Sequence, residues 1–273
     1  KIKPDVYIVG EIWDNTTFQI PYAEGFTSLF NFDLAYSILE SVNYEKQMVA
    51  TVQSGGWALD SASSFVDAIA QKTKSFKAQN PGYVDAIFLS NHDQNRVMSV
   101  LNNQKDKAKL AASILLTLPG IPYIYYGEEI GMSGKKPDPH IREPFLWKVN
   151  EKDSLRTRWI DPIYSTDRTV LPLAKQQENQ GSLLHHYQDL IAVRKQNEAL
   201  SEGELSPYQS DNNQLITFKR STNKQKILII HNLSAEQQRV KIPVYEKIIM
   251  GSENWVQGGL VNLPVRESII LEL

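Results

Sequence analysis

The chain has 273 residues, 29 Lys and Arg against 31 Asp and Glu for a net charge of -2, 41 % hydrophobic residues and no cysteine. Its length and apolar content suffice for one large or two ordinary domains with a real core, while the scattered, balanced charge excludes nucleic acid and anionic membrane as electrostatically attracted partners. Lack of cysteine excludes disulfides, thiolate nucleophiles and cysteine-based zinc sites, and no run approaches the roughly 20 apolar residues of a membrane span.

Asp5-Val6-Tyr7-Ile8-Val9 reads as a buried strand running into Gly10-Glu11-Ile12-Trp13. Lys1 is not Met, no signal peptide precedes that strand, and only a few residues separate the two, which reads as a chain whose natural N-terminal part is absent. Ser28 to Phe32 is a second strand candidate, after which Asp33 is expected to cap a helix carrying Leu34, Ile38 and Leu39. A Gly55-Gly56 break precedes Ser61-Ala62-Ser63-Ser64, an N-cap cluster for a helix that turns Phe65, Ile69 and Phe76 inward and closes at Pro81-Gly82. Ala86-Ile87-Phe88-Leu89-Ser90 is a buried strand leading into Asn91-His92-Asp93. Asp106 opens a helix with Leu110, Ile114, Leu115 and Leu118, and Ile121 to Tyr126 is a short strand ending at Gly127.

Residues 128 to about 180 form a loop too long to be a mere connector, which predicts a functional rim or lid. Gly181-Ser182 caps an amphipathic helix with Leu183, Tyr187, Leu190, Ile191 and Arg194 on one face. From about Glu202 the pattern changes to short strands at 215–218, 226–230, 240–242 and 268–271, a small all-β domain. Four alternating strand and helix units make half of an eightfold parallel barrel, which leaves two open edges and an unfilled interior. The missing half is expected upstream, and self-association is another outlet for those edges.

Three segments carry a resemblance. Gly10-Glu11-Ile12-Trp13, Phe88-Leu89-Ser90-Asn91-His92-Asp93 and Gly120-Ile121-Pro122-Tyr123-Ile124-Tyr125-Tyr126-Gly127-Glu128-Glu129-Ile130-Gly131, in this order, resemble the α-amylase family of retaining glycoside hydrolases. The resemblance covers essentially the whole chain and implies an α/β fold: residues 1–201 as the C-terminal half of a (β/α)8 barrel, strands 5 to 8, and 202–273 as a β-sandwich. It implies Glu11 as general acid, Asp93 as transition-state stabiliser, and Asn91 and His92 as sugar contacts. Asp138-Pro139-His140-Ile141-Arg142 resembles an Asp-x-x-x-Arg element, which would make Arg142 a sugar-binding fork oriented by Asp138. The family's nucleophile segment, Gly-x-Arg-x-Asp, is absent, as is its early Asp-x-x-x-Asn-His segment. No cofactor is therefore expected in this half, and calcium only through the other.

Glycoside hydrolysis needs a proton for a poor leaving group and stabilisation of a positively charged ring, which two carboxyl groups in different protonation states supply. Glu11, with Trp13 and Tyr7 near in sequence, is expected to be desolvated enough to exchange a proton near neutral pH. The plain alternatives are a rim Glu in an ion pair and an Asx-capped turn at Asn91-His92-Asp93; neither accounts for three motifs in order. Trp13, Tyr22 and Trp147 are candidate sugar platforms, Glu128 and Glu129 read as structural with Glu128 at the rim, and His185-His186 do not share a helix face for chelation. The expected ligand is an α-1,4-linked glucan, with a transglycosylase, an isomerase or a non-catalytic binding subunit as rival readings. An extracytoplasmic location is favoured over a cytoplasmic one.

Overall fold

The computed structural model describes residues 3, 6–53, 56–61, 63–148, 153–208 and 210–273; Lys1, Asp5, Gly55 and Ala62, named above, lie outside them. In chain order come strand Val9–Gly10 (β1), helix Thr16–Gln19 (α1), a 3-10 turn at Ile20–Gly25, strand Ser28–Leu29 (β2) and helix Phe32–Tyr44 (α2). The hairpin strands Val49–Gln53 (β3) and Gly56–Asp60 (β4) lead to helix Phe65–Gln79 (α3). Strand Ala86–Phe88 (β5), helices Val97–Val100 (α4) and Lys105–Thr117 (α5) and strand Ile121–Tyr123 (β6) follow. Helices Asp138–Ile141 (α6), Leu173–Gln177 (α7), Leu183–Gln196 (α8) and Glu198–Ser201 (α9) complete the first part.

β1 pairs in parallel with β2, and β5 with β6. A parallel bridge between Phe30 and Ala86 joins the two pairs, so the staves run β1-β2-β5-β6 in one direction. Gly10 allows the tight approach of the first two, because a Cβ there would stand 2.7 Å from the Leu29 side chain. Among the described residues β1 has a neighbour on one side only. That explains a departure from expectation: Val6, Tyr7 and Ile8 are exposed rather than buried, and pairing is confined to Val9 and Gly10.

The helices start where short polar side chains take the first free backbone N–H groups. Ser64 caps α3 and Ser182 caps α8. For α2 the cap is Asn31, which accepts from Leu34 N at 3.0 Å, and not Asp33. Asp33 is buried and does more: it accepts from Thr16 N and Oγ1, from Val52 N at 2.7 Å and from Lys72 Nζ at 2.6 Å, tying α1, β3 and α3 to α2. The hairpin β3–β4 was not foreseen. Its signal is the alternation of 49–53 and a Ser-Gly-Gly turn sequence.

Eight strands build the second part: Glu204–Pro207 (β7), Leu215–Ser221 (β8), Lys226–Asn232 (β9), Gln238–Lys241 (β10), Lys247–Met250 (β11), Val256–Gln257 (β12), Leu260–Leu263 (β13) and Ser268–Glu272 (β14). They form an antiparallel sheet in the order β11-β14-β9-β8-β7 against a smaller one, β10-β13-β12. Side chains alternate as pleating demands. Leu215, Leu228, Ile230 and Ile269 pack between the two sheets, while Ile216, Phe218, Ile229 and Ile270 join one core with Ile38, Ile87, Leu115 and Tyr187.

Two buried arginines meet at this junction, Arg220 crossing it and Arg194 bracing the first part from within. Arg194 donates to the carbonyls of Leu116, Leu118 and Gly120 at 2.7–2.8 Å, and Arg220 to those of Thr117 and Gly203 at 2.7–3.0 Å. They satisfy carbonyls at the end of α5 that no helical partner reaches. Among the described residues no helix is long and apolar enough to cross a membrane. Arg220→Ala is expected to lower the urea midpoint by the equivalent of about 3 kcal/mol, since it leaves buried carbonyls unpaired. An unchanged midpoint would show that the fastening lies elsewhere.

Candidate active site

Since β1, β2, β5 and β6 are parallel, the loops that leave their carboxyl ends share one edge of the sheet. Glu11 follows β1 there, Asn91-His92-Asp93 follow β5, and the segment with Asp138 and Arg142 follows β6. Glu11 is exposed, so the apolar surroundings expected for it are not supplied by the described residues. The open side of β1 accounts for this.

The other five expected residues come together. Arg142 Nη2 donates to Asp93 Oδ1 at 2.7 Å and to Asp138 Oδ2 at 2.9 Å, and its Nε donates to the His92 carbonyl at 2.8 Å. Asn91 Oδ1 accepts from Asp93 N at 2.9 Å, which fixes the turn, and His92 Nε2 stands 3.4 Å from Asp93 Oδ2. The Lys136 ammonium, 2.9 Å from Asp138, holds that carboxyl below the usual range. Arg142 thus spends these donors on protein oxygens, and its Nη2 is shared between Asp93 and Asp138.

A ladder of rings connects the strand before Glu11 to that before Asp93. Trp13 stacks on Phe32 with centroids 5.0 Å apart, Phe32 meets Phe88 edge-on at 5.1 Å, and Phe30 touches both Phe88 and Tyr123. Trp13 keeps 46 % of its surface exposed despite this contact. Tyr22 lies near Phe18, and Trp147 against Phe145; both are exposed.

Four charged residues lie beneath this edge: Glu128 and Glu129 read as structural in the sequence, whereas Arg96 and Glu143 escape it. Arg96 is buried, lies 4.6 Å from the ring centroids of Tyr125 and Tyr126, and donates to the Tyr126 carbonyl at 2.6 Å. Glu143 is buried and accepts from the backbone N–H groups of Ile163, Tyr164 and Ser165, folding the long loop back beside Arg142. Glu129 is raised by burial, with Arg96 among the opposing influences. Glu128 is not at the rim: it is 5 % exposed, because Gly127 takes φ +83° and turns the chain inward. A Cβ on Gly127 would collide with Met132 Sδ. Burial pushes Glu128 up to about 8; the Tyr187 hydroxyl, donating at 2.8 Å, opposes this and Glu129 adds to it. The sequence signal was a Tyr-Tyr-Gly-Glu-Glu run in which polar residues follow an apolar strand.

Among the described residues no group of three or more His, Asp or Glu side chains could hold a metal ion. His185 faces Ser182 and Asn179, and His186 faces Ser113 and Lys109, so the adjacent pair diverges. Two large cavities lie away from the edge just described. One of about 500 Å³ opens between α5, α8 and the β-strands, and one of about 690 Å³ surrounds Tyr83, Asp85 and Gly120 at the opposite, amino ends of β5 and β6.

Residues 1–203 match the family described as "Alpha amylase, catalytic domain", and residues 215–270 that described as "Alpha-amylase SusG C-terminal domain". The chain belongs to the α-amylase family of glycoside hydrolases. It is 39 % identical over 233 residues, 85 % of this chain and 44 % of the relative, to "Alpha-amylase 3" of Dictyoglomus thermophilum. It is 30 % identical over 256 residues, 89 % of this chain and 34 % of the relative, to "Alpha-amylase SusG" of Bacteroides thetaiotaomicron. The α-amylase of H. orenii superposes with TM-score 0.82 at 32 % identity, over 98 % of this chain and 54 % of its own. This α-amylase-family chain therefore spans less than half the length of these two curated relatives. Other members reach different names: a "4-alpha-glucanotransferase" of Thermotoga neapolitana is 28 % identical over 83 % of this chain and 48 % of its own length.

Glu128 gives a pH test. Its raised pKa means that the folded state holds a proton the unfolded chain loses, so the stability it contributes is complete below about 4.5 and is lost as pH rises through about 8. Glu128→Gln is expected to flatten the decline in melting temperature over that window, gaining more than about 1 kcal/mol on the parent between pH 5 and pH 9. Parallel pH curves for the two proteins would place the proton elsewhere.

Proposed function

We propose that the full-length protein hydrolyses α-1,4-linked glucans with retention of configuration, this chain providing its acid–base carboxyl and its transition-state stabiliser. One observation carries the reading: Asp93, clamped by Arg142 and flanked by His92, sits on the same sheet edge as Glu11. The relatives named α-amylase support the choice of glucan.

In this mechanism Glu11 donates its proton to the glycosidic oxygen as the bond to the anomeric carbon breaks, then removes a proton from the incoming water. Asp93 accepts hydrogen bonds from the ring hydroxyls beside the anomeric carbon, contacts that strengthen as positive charge develops. Orientation is the contribution of Arg142: holding one oxygen of Asp93 leaves the other toward the sugar and His92, and so little reorganisation remains for the transition state. The attacking carboxylate of a retaining enzyme stands about 5–5.5 Å from the acid. It is assigned to a segment outside this chain, whose sequence contains no Gly-x-Arg-x-Asp.

Transglycosylation is the second reading, favoured by the relative named 4-alpha-glucanotransferase. It uses the same carboxyls, with a sugar hydroxyl in place of water. Incubating the full-length protein with maltoheptaose separates the two: new reducing ends support hydrolysis, and longer and shorter chains with a constant number of ends support transfer. Glu11→Gln is expected to lower kcat by about 10²- to 10⁴-fold with KM little changed, because the lost contribution is proton transfer. Near-parental turnover in that variant would remove Glu11 from the mechanism.

A further inference from the structure

We propose that Trp57 and Tyr36 form a sugar-binding subsite that extends the substrate cleft beyond Asp93. The inference rests on the glucan-acting reading above and assigns a role to the β3–β4 hairpin. A cavity of about 200 Å³ opens beside Asp93, with Trp13, Tyr36, Trp57, Glu40 and Lys136 in its wall. At roughly 30 Å³ per water molecule it displaces six or seven waters, room for one hexose ring.

The hairpin is placed for this purpose by α2. Val52 N donates to Asp33 Oδ1 at 2.7 Å and Ala50 N to Ser37 Oγ at 2.8 Å, so β3 lies against the helix that carries Tyr36 and Glu40. Trp57 pairs with Val52 across the hairpin, and its ring stacks on Tyr36 with centroids 4.0 Å apart and planes 16° from parallel. One face of the indole is thereby covered while 41 % of the residue stays open to solvent, on a strand whose five residues are all exposed. Trp13 and Gln94 line the same cavity as Tyr36 and Trp57, which links this pair to the residues beside Glu11.

The wall chemistry selects the ligand class. Aromatic faces suit the C–H face of a pyranose. Two carboxylates, Glu40 and Asp93, with the ammonium of Lys136 suit hydroxyl groups that donate and accept, whereas a wholly apolar ligand would strip these charges of water without replacement. Gln94, 8 % exposed, lines the same cavity beside Asp93.

The test uses the full-length protein with Trp57→Ala and Trp57→Phe. Trp57→Ala is expected to lower kcat/KM for maltoheptaose about tenfold while leaving that for maltotriose within about twofold, and to weaken maltoheptaose binding to the same degree by calorimetry. Trp57→Phe keeps a stacking face and should recover most of the loss; a melting temperature for each variant within error of the parent's confirms that the hairpin stays folded. Equal loss on both substrates, or no loss on either, overturns the subsite. If the unaltered protein binds maltoheptaose but turns over no α-glucan, the catalytic reading fails, and the calorimetric comparison alone then decides the subsite. No binding of maltoheptaose at all would end both.

Discussion

Everything on the reacting edge follows from parallel pairing with very short staves. Two or three residues per strand fix direction and register, Val9 with Ser28, Phe30 with Ala86 and Ala86 with Ile121. All else at that edge is loop. A parallel arrangement gathers the loops on one side, but so few ladder bonds cannot hold them in place, and the chain accordingly supplies charged pins. Asp33 gathers three elements below the loop that carries Glu11, Arg142 joins the loops after β5 and β6, and Glu143 draws residues 163–165 in beside it.

The carboxylate pins Asp33 and Glu143 are buried, and each accepts from several donors rather than from one counter-ion alone. That fits the physics of low-dielectric interiors, where an isolated charge is unfavourable and a fully bonded carboxylate is tolerated. Arg96 is less completely served, with one backbone carbonyl and two tyrosine faces while its Nε and Nη2 are buried without a hydrogen-bond partner. Glu128 is the opposite case. Its partners, Tyr187 and Ser90, donate to it and favour the charged form, but burial outweighs them and decides in favour of the proton.

Much of this was legible in the residues. Strand ends at Glu11 and Asp93, the long helix capped by Ser182 and the change to an all-β pattern after Glu202 rest on local periodicity and capping, which sequence records directly. So does the Asp138 to Arg142 spacing, one helical turn that brings both side chains to the same face. What stayed hidden depends on distant partners. Asp33 looks like a helix cap until Thr16, Val52 and Lys72 are seen around it; Glu128 looks like a rim residue until Tyr187, 59 positions away, is found bonded to it. Exposure of Tyr7 and Ile8 was equally hidden, because an apolar run does not reveal whether a neighbour stands on both sides.

The arginine fastening between the two parts has an evolutionary side. The inner face of the larger antiparallel sheet completes the packing under α5 and α8, and Arg220 reaches across to Thr117 while Arg194 secures the turn toward β6. A module attached in this way is not a detachable appendage. Shuffling it onto a foreign barrel would take the Thr117 carbonyl from Arg220, so the strands from β7 onward and the end of α5 are constrained to be inherited, and to diverge, as a matched pair.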